Sequence, residues 1–428
     1  MNWSLAVGKP DRGWETTQLR HFLTRRRRTG YRDLPLLSVN LVEGVTQRWT
    51  SDGRPAPAED LGGYQLVMPG DLVMNQLGKP HGSLGVSDQP GIISPAYFVA
   101  EIDGRRAWPR YVHHLLRTRL YISEYERRGK FMPPSQFDIS WQEFRSIPVA
   151  LPPLATQRQI ADFLDAETAR IDALVTARTR LSVLLEERRS ALLSAAVTVG
   201  LDSGETTATG HQFAPLVAAG WPVRRLRHVL SEIVDTEHKT APAVDDGDFL
   251  VVRTANVRRG QLVLDNAQYT NLDTWREWTS RGVPKPGDVI FTREAPAGEA
   301  CVVPPSPPLC LGQRTVLLRP RADMILGPWL VHSIYAGAAR HFIDVLSRST
   351  TVAHVNMSDI PDIPVVVPSV TEQAHTLAAL DRELEPVTRL SAACAAQTSL
   401  LQERKQALIT AAVTGQLDIA RGIAEEAS

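Results

Sequence analysis

The residues best suited to chemistry in this chain are basic. Arg25, Arg26, Arg27 and Arg28 form a run of four guanidiniums that ends at Thr29-Gly30. A guanidinium stays charged at any accessible pH and presents a planar fork of donors, so such a run in a loop holds phosphates by charge and by paired hydrogen bonds. Arg224 and Arg225, then Arg258 and Arg259, place basic residues at what look like comparable positions in the second half. Trp275, Arg276 and Trp278 could stack on bases, although a place in the core is the commoner fate of a tryptophan.

Catalytic signatures are poor by contrast. Asp288 and Glu294 are spaced like the carboxylates of a metal-dependent nuclease, but no lysine follows the second one. Asp71 and Asp288 each follow Pro-Gly, where an aspartate is expected to bond its own turn. Phosphate-cradling glycine loops, paired metal-binding histidines on a helix and nucleophile elbows are absent, as are methyltransferase signatures. Cys301, Cys310 and Cys394 have no metal-ligand spacing, and their odd number points to reduced thiols. His113, His114 and His332 fall on predicted helices, where structural roles are expected. The chain reads as non-catalytic, with no cofactor or metal of its own.

What must position the basic residues is a repeat. Residues 147–202 recur at 363–418 with a constant offset of 216 and no gap, and 12 of the 19 positions from 184 to 202 are identical between copies. In the first copy Ile160, Leu164, Ile171, Leu174, Leu181, Leu185 and Leu192 follow a 3-4 alternation, with Glu167, Arg178 and Arg188 filling the remaining places. In the second, Leu377, Leu380, Leu384, Val387, Cys394, Leu401 and Leu408 do the same. That is the period of a coiled coil, and two helices with one apolar seam each are expected to pair with each other. Pro386 lies inside the second run, which predicts a kink or a late helix start.

The repeat divides the 428 residues into four parts: a first variable region at 1–146, a first repeat at 147–206, a second variable region at 207–362, and a second repeat with its tail at 363–428. The variable regions share Gly13-Trp14 with Gly220-Trp221, Leu19-Arg20-His21 with Leu226-Arg227-His228, and Pro69-Gly70-Asp71 with Pro286-Gly287-Asp288. Short apolar runs bounded by Gly, Pro, Asn and Asp read as strands of mixed α/β domains. The fold class is therefore α+β: two mixed domains separated by an antiparallel two-helix coiled coil, with an internal duplication of pseudo-twofold character. Lys and Arg outnumber Asp and Glu by 20 to 15 in residues 1–150, whereas the whole chain is balanced at 47 of each. Balance argues against a dispersed polyanion binder and allows local basic surfaces. No apolar stretch approaches a membrane span and the first residues lack a signal-peptide core, which suggests a cytoplasmic protein.

FDISWQEFRSIPVALPPLATQRQIADFLD (137–165), STTVAHVNMSDIPDIPVVVPSVTEQ (349–373) and the two helix ends LLEERRSALLSAAVTVGLD and LLQERKQALITAAVTGQLD resemble the junctions and conserved regions of specificity subunits of type I restriction-modification systems. PGDLVMNQLGKPHGSLGV and PGDVIFTREAPAGEACVV resemble segments of their target recognition domains. The resemblance spans almost the full length. It implies two target recognition domains, each reading half of a split double-stranded DNA sequence, with the helices as a spacer. It also implies partners: two methylation subunits that bring S-adenosylmethionine, and restriction subunits that use ATP and Mg. DNA-contacting residues do not carry over, because recognition domains differ between members. From the residues alone a coiled-coil scaffold that binds protein and no DNA stays open, while a fused nuclease or methyltransferase is opposed by the missing motifs.

Overall fold

A computed structural model describes residues 13–41, 43–48, 61–75, 83–132, 136–202, 204–236, 239, 241–294, 296–348 and 354–417. Four helices organise the chain: α1 (Pro109–Leu116), α2 (Leu154–Thr198), α3 (Gly327–Tyr335) and α4 (Val370–Val413). The chain forms two compact units, Met1–Thr179 with Ala396–Ser428, and Arg180–Ala395. Each unit thus holds one globular region, part of α2 and part of α4. The tail beyond residue 417 lies outside the described residues.

The two globular regions are built on one plan. In the first unit an antiparallel sheet runs in the order Leu23–Arg25, Tyr97–Ile102, Leu72–Asn75, Leu84–Val86. In the second the order is Leu230–Asp235, Thr315–Pro320, Val289–Thr292, Ala300–Val302, again all antiparallel. A two-stranded junction precedes each long helix, Glu15–Gln18 with Pro148–Leu151 and Val223–Arg225 with Pro364–Val366. Central strands such as Val289–Thr292 are buried on both faces and are continuously apolar or β-branched, as strands covered on both sides must be. Each apparent single helix after the sheet is in fact two: α1 is followed by Arg119–Arg128, and α3 by Gly337–Arg348, whose first residue is left-handed at φ +64°.

The seam of the long helices departs from the sequence reading in an orderly way. In α2, Leu164, Ile171 and Leu185 are buried, with Arg178 and Leu192 half-buried, and the positions between them that turn inward lie four residues after each: Thr168, Val175, Ser182, Arg189 and Ala196. The expected partners three residues after Leu164, Ile171, Arg178 and Leu185, namely Glu167, Leu174, Leu181 and Arg188, sit on one flank instead. Leu174 is 45% exposed and is not a seam residue, Arg188 is exposed, and Leu181 is half-buried. A step of four turns a helix to one side of its seam and a step of three to the other, so the sequence alone could not choose between flanks that both carry leucine. In α4, Leu380, Val387 and Cys394 are buried, and Leu377, Leu384, Leu401 and Leu408 are half-buried.

Within the first unit the α2–α4 pairing is fastened by Lys405 to Asp172 at 2.6 Å, and within the second by Arg188 to Glu383 at 3.6 Å and a cluster of Leu185, Val387 and Cys394. The late start expected at Pro386 does not occur, since α4 is continuous from Val370. Pro386 and Arg382 are both exposed, so the Arg382 carbonyl that loses its donor is left to water. Ser369 caps α4: its hydroxyl accepts from Glu372 N–H while the Glu372 carboxylate accepts from Ser369 N–H at 2.9 Å. Both long helices end near a left-handed glycine, Gly200 at φ +79° and Gly415 at φ +75°. Trp221 and Trp14 lie over these glycines, and a Cβ at Gly415 would approach the Trp14 ring to 3.1 Å.

Candidate functional site

Two glutamines fix each globular region to the start of a long helix. Gln157 is buried in the first turn of α2; its carbonyl accepts from Trp108 N–H at 2.7 Å, and its amide donates to Arg106 O at 3.1 Å and Pro152 O at 2.9 Å. Gln373, 216 residues later, accepts from Leu326 N–H and donates to Met324 O and Pro368 O, all at 2.8 Å. The same three roles are filled twice: the helix N-cap of α1 or α3, the turn before it, and the proline segment before the long helix. Sequence reasoning passed over both residues, because a glutamine in a helix reads as surface. Its signal is that a polar residue is unchanged between copies at a position of the apolar period.

Around this clamp the two units differ. In the first, Asp165 on α2 accepts from Arg110 at 2.6 Å and from buried His114 at 2.8 Å, both on α1. Burial alone would raise the Asp165 carboxyl, but the hydrogen bonds from His114 and Arg110 outweigh it and hold the group well below the usual carboxylate range. In the second unit Pro328 stands where α1 has Arg110, and Trp329 of α3, at the place of Tyr111, is fully buried with its indole N–H on Val366 O at 2.9 Å. His113, half-buried next to His114, is pushed well below the usual imidazole range chiefly by desolvation, and its Nδ1 accepts from Val86 N–H at 3.2 Å. His332 is shifted down likewise by burial. These histidines are packing residues.

The four consecutive arginines do not form a uniform loop. Arg25 ends the edge strand Leu23–Arg25 and lies over the Phe98 ring at 4.7 Å. Arg26 is ion-paired with Glu101 on the neighbouring strand. Arg27 and Arg28 are exposed, with no ion pair among the described residues, while the backbone is held by Arg26 N–H to Val99 O and Leu66 N–H to Arg28 O. Asp71 is buried nearby; desolvation raises its carboxyl, opposed by the Met68 N–H and by the charges of Arg26 and Arg28. It bonds its own turn at 2.9 Å, as Pro-Gly-Asp implies.

Arg224 and Arg225 are not the counterparts of that run, contrary to the sequence reading. They lie in the junction strand Val223–Arg225, and Arg225 shares Asp362 with Arg227. The strand that occupies the place of Leu23–Arg25 in the second unit is Leu230–Asp235, which carries Glu232 and Asp235. Weak sequence likeness aligned the arginines by proximity, and the sheet order separates them. Arg258 and Arg259 are exposed on a tight hairpin between Val257–Arg258 and Gln261–Leu262, with Arg259 at φ +50° and Gly260 at φ +83°. Both turn residues being left-handed is the geometry that matches the twist of paired strands. The Arg259 N–H is held by Glu299 at 2.6 Å, which leaves its side chain at the tip.

The remaining candidates are accounted for by packing and pairing. Asp288 accepts from Lys285 N–H at 2.9 Å and from Arg319, which also meets Glu232. Glu294 meets His354 at 2.9 Å and Arg314 at 3.3 Å, so the two carboxylates face different partners. Trp275 donates to Leu309 O at 3.0 Å and stacks near Phe249, and Trp278 packs with it against Ala241, Val251 and Cys310. These rings are part of the fold and are not presented as a stacking platform. Cys301 and Cys310 are buried, which pushes each thiol up to about 12, and Cys394 is buried in the helix seam. Among the described residues no group of three or more His, Cys, Asp or Glu could hold a metal ion, and no helix is long and apolar enough to cross a membrane.

Comparison with known proteins agrees with this architecture. The chain is 20% identical over 352 residues to the specificity subunit of the type I restriction enzyme EcoBI of Escherichia coli, covering 79% of this chain and 71% of that protein. Among solved structures it is similar to a chain from a study of complex assembly and conformational transition of the type I R-M system, with a TM-score of 0.67, 18% identity, and 96% and 100% of the two chains covered. It is also similar to the HsdS subunit of Thermoanaerobacter tengcongensis, with a TM-score of 0.51, 20% identity, and 96% and 98% covered. No family model matches the chain. In sequence likeness and in fold, the chain resembles the specificity subunits of type I restriction-modification systems over most of its length.

Proposed function

We propose that this chain is the DNA-reading subunit of a type I restriction-modification complex, with no catalytic centre of its own. One observation carries the reading: two globular regions of one topology are each clamped by a buried glutamine to the start of one of two long helices. A device made of two similar readers suits a target made of two half-sites, read by side chains at base edges while phosphate contacts set the register. The helices set the gap between half-sites. Methylation chemistry, with its S-adenosylmethionine, belongs to two partner methylation subunits, and ATP and Mg belong to restriction subunits. Arg27, Arg28 and the Arg258–Arg259 hairpin are the exposed cations available for phosphates.

A protein-binding scaffold without DNA is the second reading, favoured by zero net charge and by the pairing of Arg26 and Arg225 with acids. Duplex binding by the chain together with its methylation subunit, titrated with salt, separates the two. A protein meeting about six phosphates loses on the order of a thousandfold in affinity between 50 and 200 mM salt. Replacing Arg25, Arg26, Arg27 and Arg28 by Ala should weaken binding to all sequences and flatten that dependence. Unchanged affinity and slope would remove this run from the interface, and the absence of salt-dependent binding in the unaltered complex would leave the scaffold. The gap is tested separately: one heptad added to both helices, about 10 Å, should lengthen the methylated target's spacer by roughly three base pairs and keep both half-sites.

A further inference from the structure

The ends of α1 and α3 reach equivalent places in the two units. Arg117 caps the end of α1 and Tyr335 ends α3, each nine residues after the residue that caps the start of its helix, Trp108 or Leu326. From there the Arg117 guanidinium donates to Leu84 O at 3.2 Å, and the Tyr335 hydroxyl accepts from Ala300 N–H at 3.0 Å. Leu84 and Ala300 are the first residues of the equivalent sheet strands Leu84–Val86 and Ala300–Val302. Each side chain also reaches the hairpin beside its strand. Arg117 donates at 2.7 Å to Leu41 O, between the strands Leu37–Asn40 and Gly44–Gln47. Tyr335 donates at 2.6 Å to the Glu299 carboxylate, which itself holds the Arg259 N–H at 2.6 Å.

The hairpins match at their glycines as well. Gly44 and Gly260 are left-handed, at φ +87° and φ +83°. A Cβ on Gly44 would overlap the Arg117 guanidinium and come to 3.0 Å from the His113 ring, and one on Gly260 would touch Val331 at 3.5 Å and the Tyr335 ring at 3.8 Å. His113 and Val331 hold one helix position, five residues after the cap. What the hairpins carry is different: the first exposes Leu41 and Glu43, the second Arg258 and Arg259. Helix end, strand and glycine are thus fastened together in both units by unlike chemistry, while the tip changes its charge.

In the second unit the strands Val257–Arg258 and Gln261–Leu262 have two residues each, too few to hold a tip rigid by their own ladder. The Glu299 bond to the Arg259 N–H fixes the backbone from which that guanidinium projects, and Tyr335 fixes Glu299. Burial, with the hydrogen bond to Glu299, pushes the Tyr335 phenol up, so it stays a protonated donor at neutral pH. We infer that Tyr335 and Glu299 are positioning residues for DNA binding, which hold the Arg259 guanidinium where it meets a phosphate and touch no DNA themselves. The inference rests on the function proposed above. Glu299 is an acid beside a cation that meets a polyanion, so on charge alone its removal would tighten binding. As part of a latch its removal loosens the tip and weakens binding.

The experiment measures duplex binding by the full chain together with its methylation subunit and compares Glu299→Gln with Glu299→Ala. Both remove the same charge, but the glutamine carbonyl still accepts from the Arg259 N–H and from Tyr335. Glu299→Gln should bind at least as tightly as the unaltered chain, and Glu299→Ala severalfold more weakly than Glu299→Gln. Tyr335→Phe should bind severalfold more weakly than the unaltered chain, with a shallower salt slope. Hydrogen exchange at the Arg259 amide should quicken in Glu299→Ala and Tyr335→Phe and stay slow in Glu299→Gln. In a chain that already carries Arg259→Gly these losses of affinity should vanish, because residues that act through one side chain are not additive with its removal. Melting temperatures of the variants control for folding. Equal binding by Glu299→Gln and Glu299→Ala, or losses that persist in full beside Arg259→Gly, overturns the positioning role and leaves the DNA-reading function standing. An unaltered complex without salt-dependent duplex binding overturns that function, and the positioning role with it.

Discussion

The edge strand Leu23–Arg25 of the first unit and Leu230–Asp235 of the second hold the same place in the same sheet order, and their charges are opposite. The first runs on into Arg26, Arg27 and Arg28, two of them exposed with no ion pair among the described residues. The second ends in acids, of which Glu232 is taken up by Arg319 and Asp235 by Arg293 at 3.3 Å. What the sheet requires of either strand is its inward residues; the outward ones are free to vary. A duplicated domain can therefore keep its frame and change what its edge offers to a partner.

The junctions show the same divergence at greater depth. The glutamine clamp is common to both units, whereas the contact beside it is ionic in the first and aromatic in the second. Trp329→Ala should have the largest effect, since it empties a fully buried indole site and orphans Val366 O. A loss of about 4 kcal/mol is expected, which for a unit of this size moves its melting transition by on the order of 10 °C. Calorimetry should show the lower stability in the transition of the second unit alone. A uniform shift of the whole profile would mean the units do not melt separately.

Next come Gln157→Ala and Gln373→Ala. Each leaves one N–H and two carbonyls without their side-chain partner, one of those carbonyls buried, a cost of about 2 kcal/mol. If the clamps are equivalent, the two variants should lose stability within about 0.5 kcal/mol of each other in denaturant titrations. A clear inequality would show that the ionic or aromatic neighbour, rather than the glutamine, carries one of the junctions.

The clamps also mark where sequence reading stops. The repeat, the two helices and the paired globular regions were legible because burial writes a period into apolar residues. The flank on which Leu174 sits was not, because both flanks of α2 carry leucine and only the neighbouring helix selects one. Gln157 was not, because hydrogen bonds to main-chain atoms depend on loops that have no period. Among the candidate cations, a run of arginines announces charge but not its neighbours, so the Glu101 partner of Arg26 and the Asp362 partner of Arg225 appear only in the fold.

A smaller effect separates the junctions by pH. The Asp165 carboxyl is held below its ordinary range in the folded first unit, so it adds stability above the unfolded carboxyl value and loses it as pH falls toward the folded one. The group is partly exposed, so solvent screening limits the contribution to about 1 kcal/mol. Asp165→Asn should therefore lower stability at pH 7 and flatten its decline between about pH 5 and pH 2, followed by melting temperature. Asp381, the equivalent on α4, has Pro328 in the place of Arg110 and His332 in the place of His114, so Asp381→Asn should lower stability less than Asp165→Asn does. Equal effects would erase the distinction between an ionic and an aromatic junction.

The smallest effect on stability, and the sharpest on function, is expected at the hairpin tip. Arg259 holds a left-handed backbone where glycine or asparagine sits most cheaply, at a cost of roughly 1 kcal/mol. Glycine would relieve that strain and lose a similar amount through the greater freedom of the unfolded chain, so Arg259→Gly should change stability by no more than about 0.5 kcal/mol. The turn would persist, because Gly260, the Glu299 bond to the backbone N–H and the Val257 to Leu262 pairing remain. What disappears is an exposed guanidinium on a rigid tip. If the second unit meets DNA through this hairpin, duplex binding by the complex should weaken severalfold with a salt slope shallower by about one, while the Arg25–Arg28 variant changes binding through the first unit independently. Binding unaltered in Arg259→Gly would confine the basic contacts to the first unit, and the opposite charges of the two edge strands would then mark two readers that grip DNA in different ways.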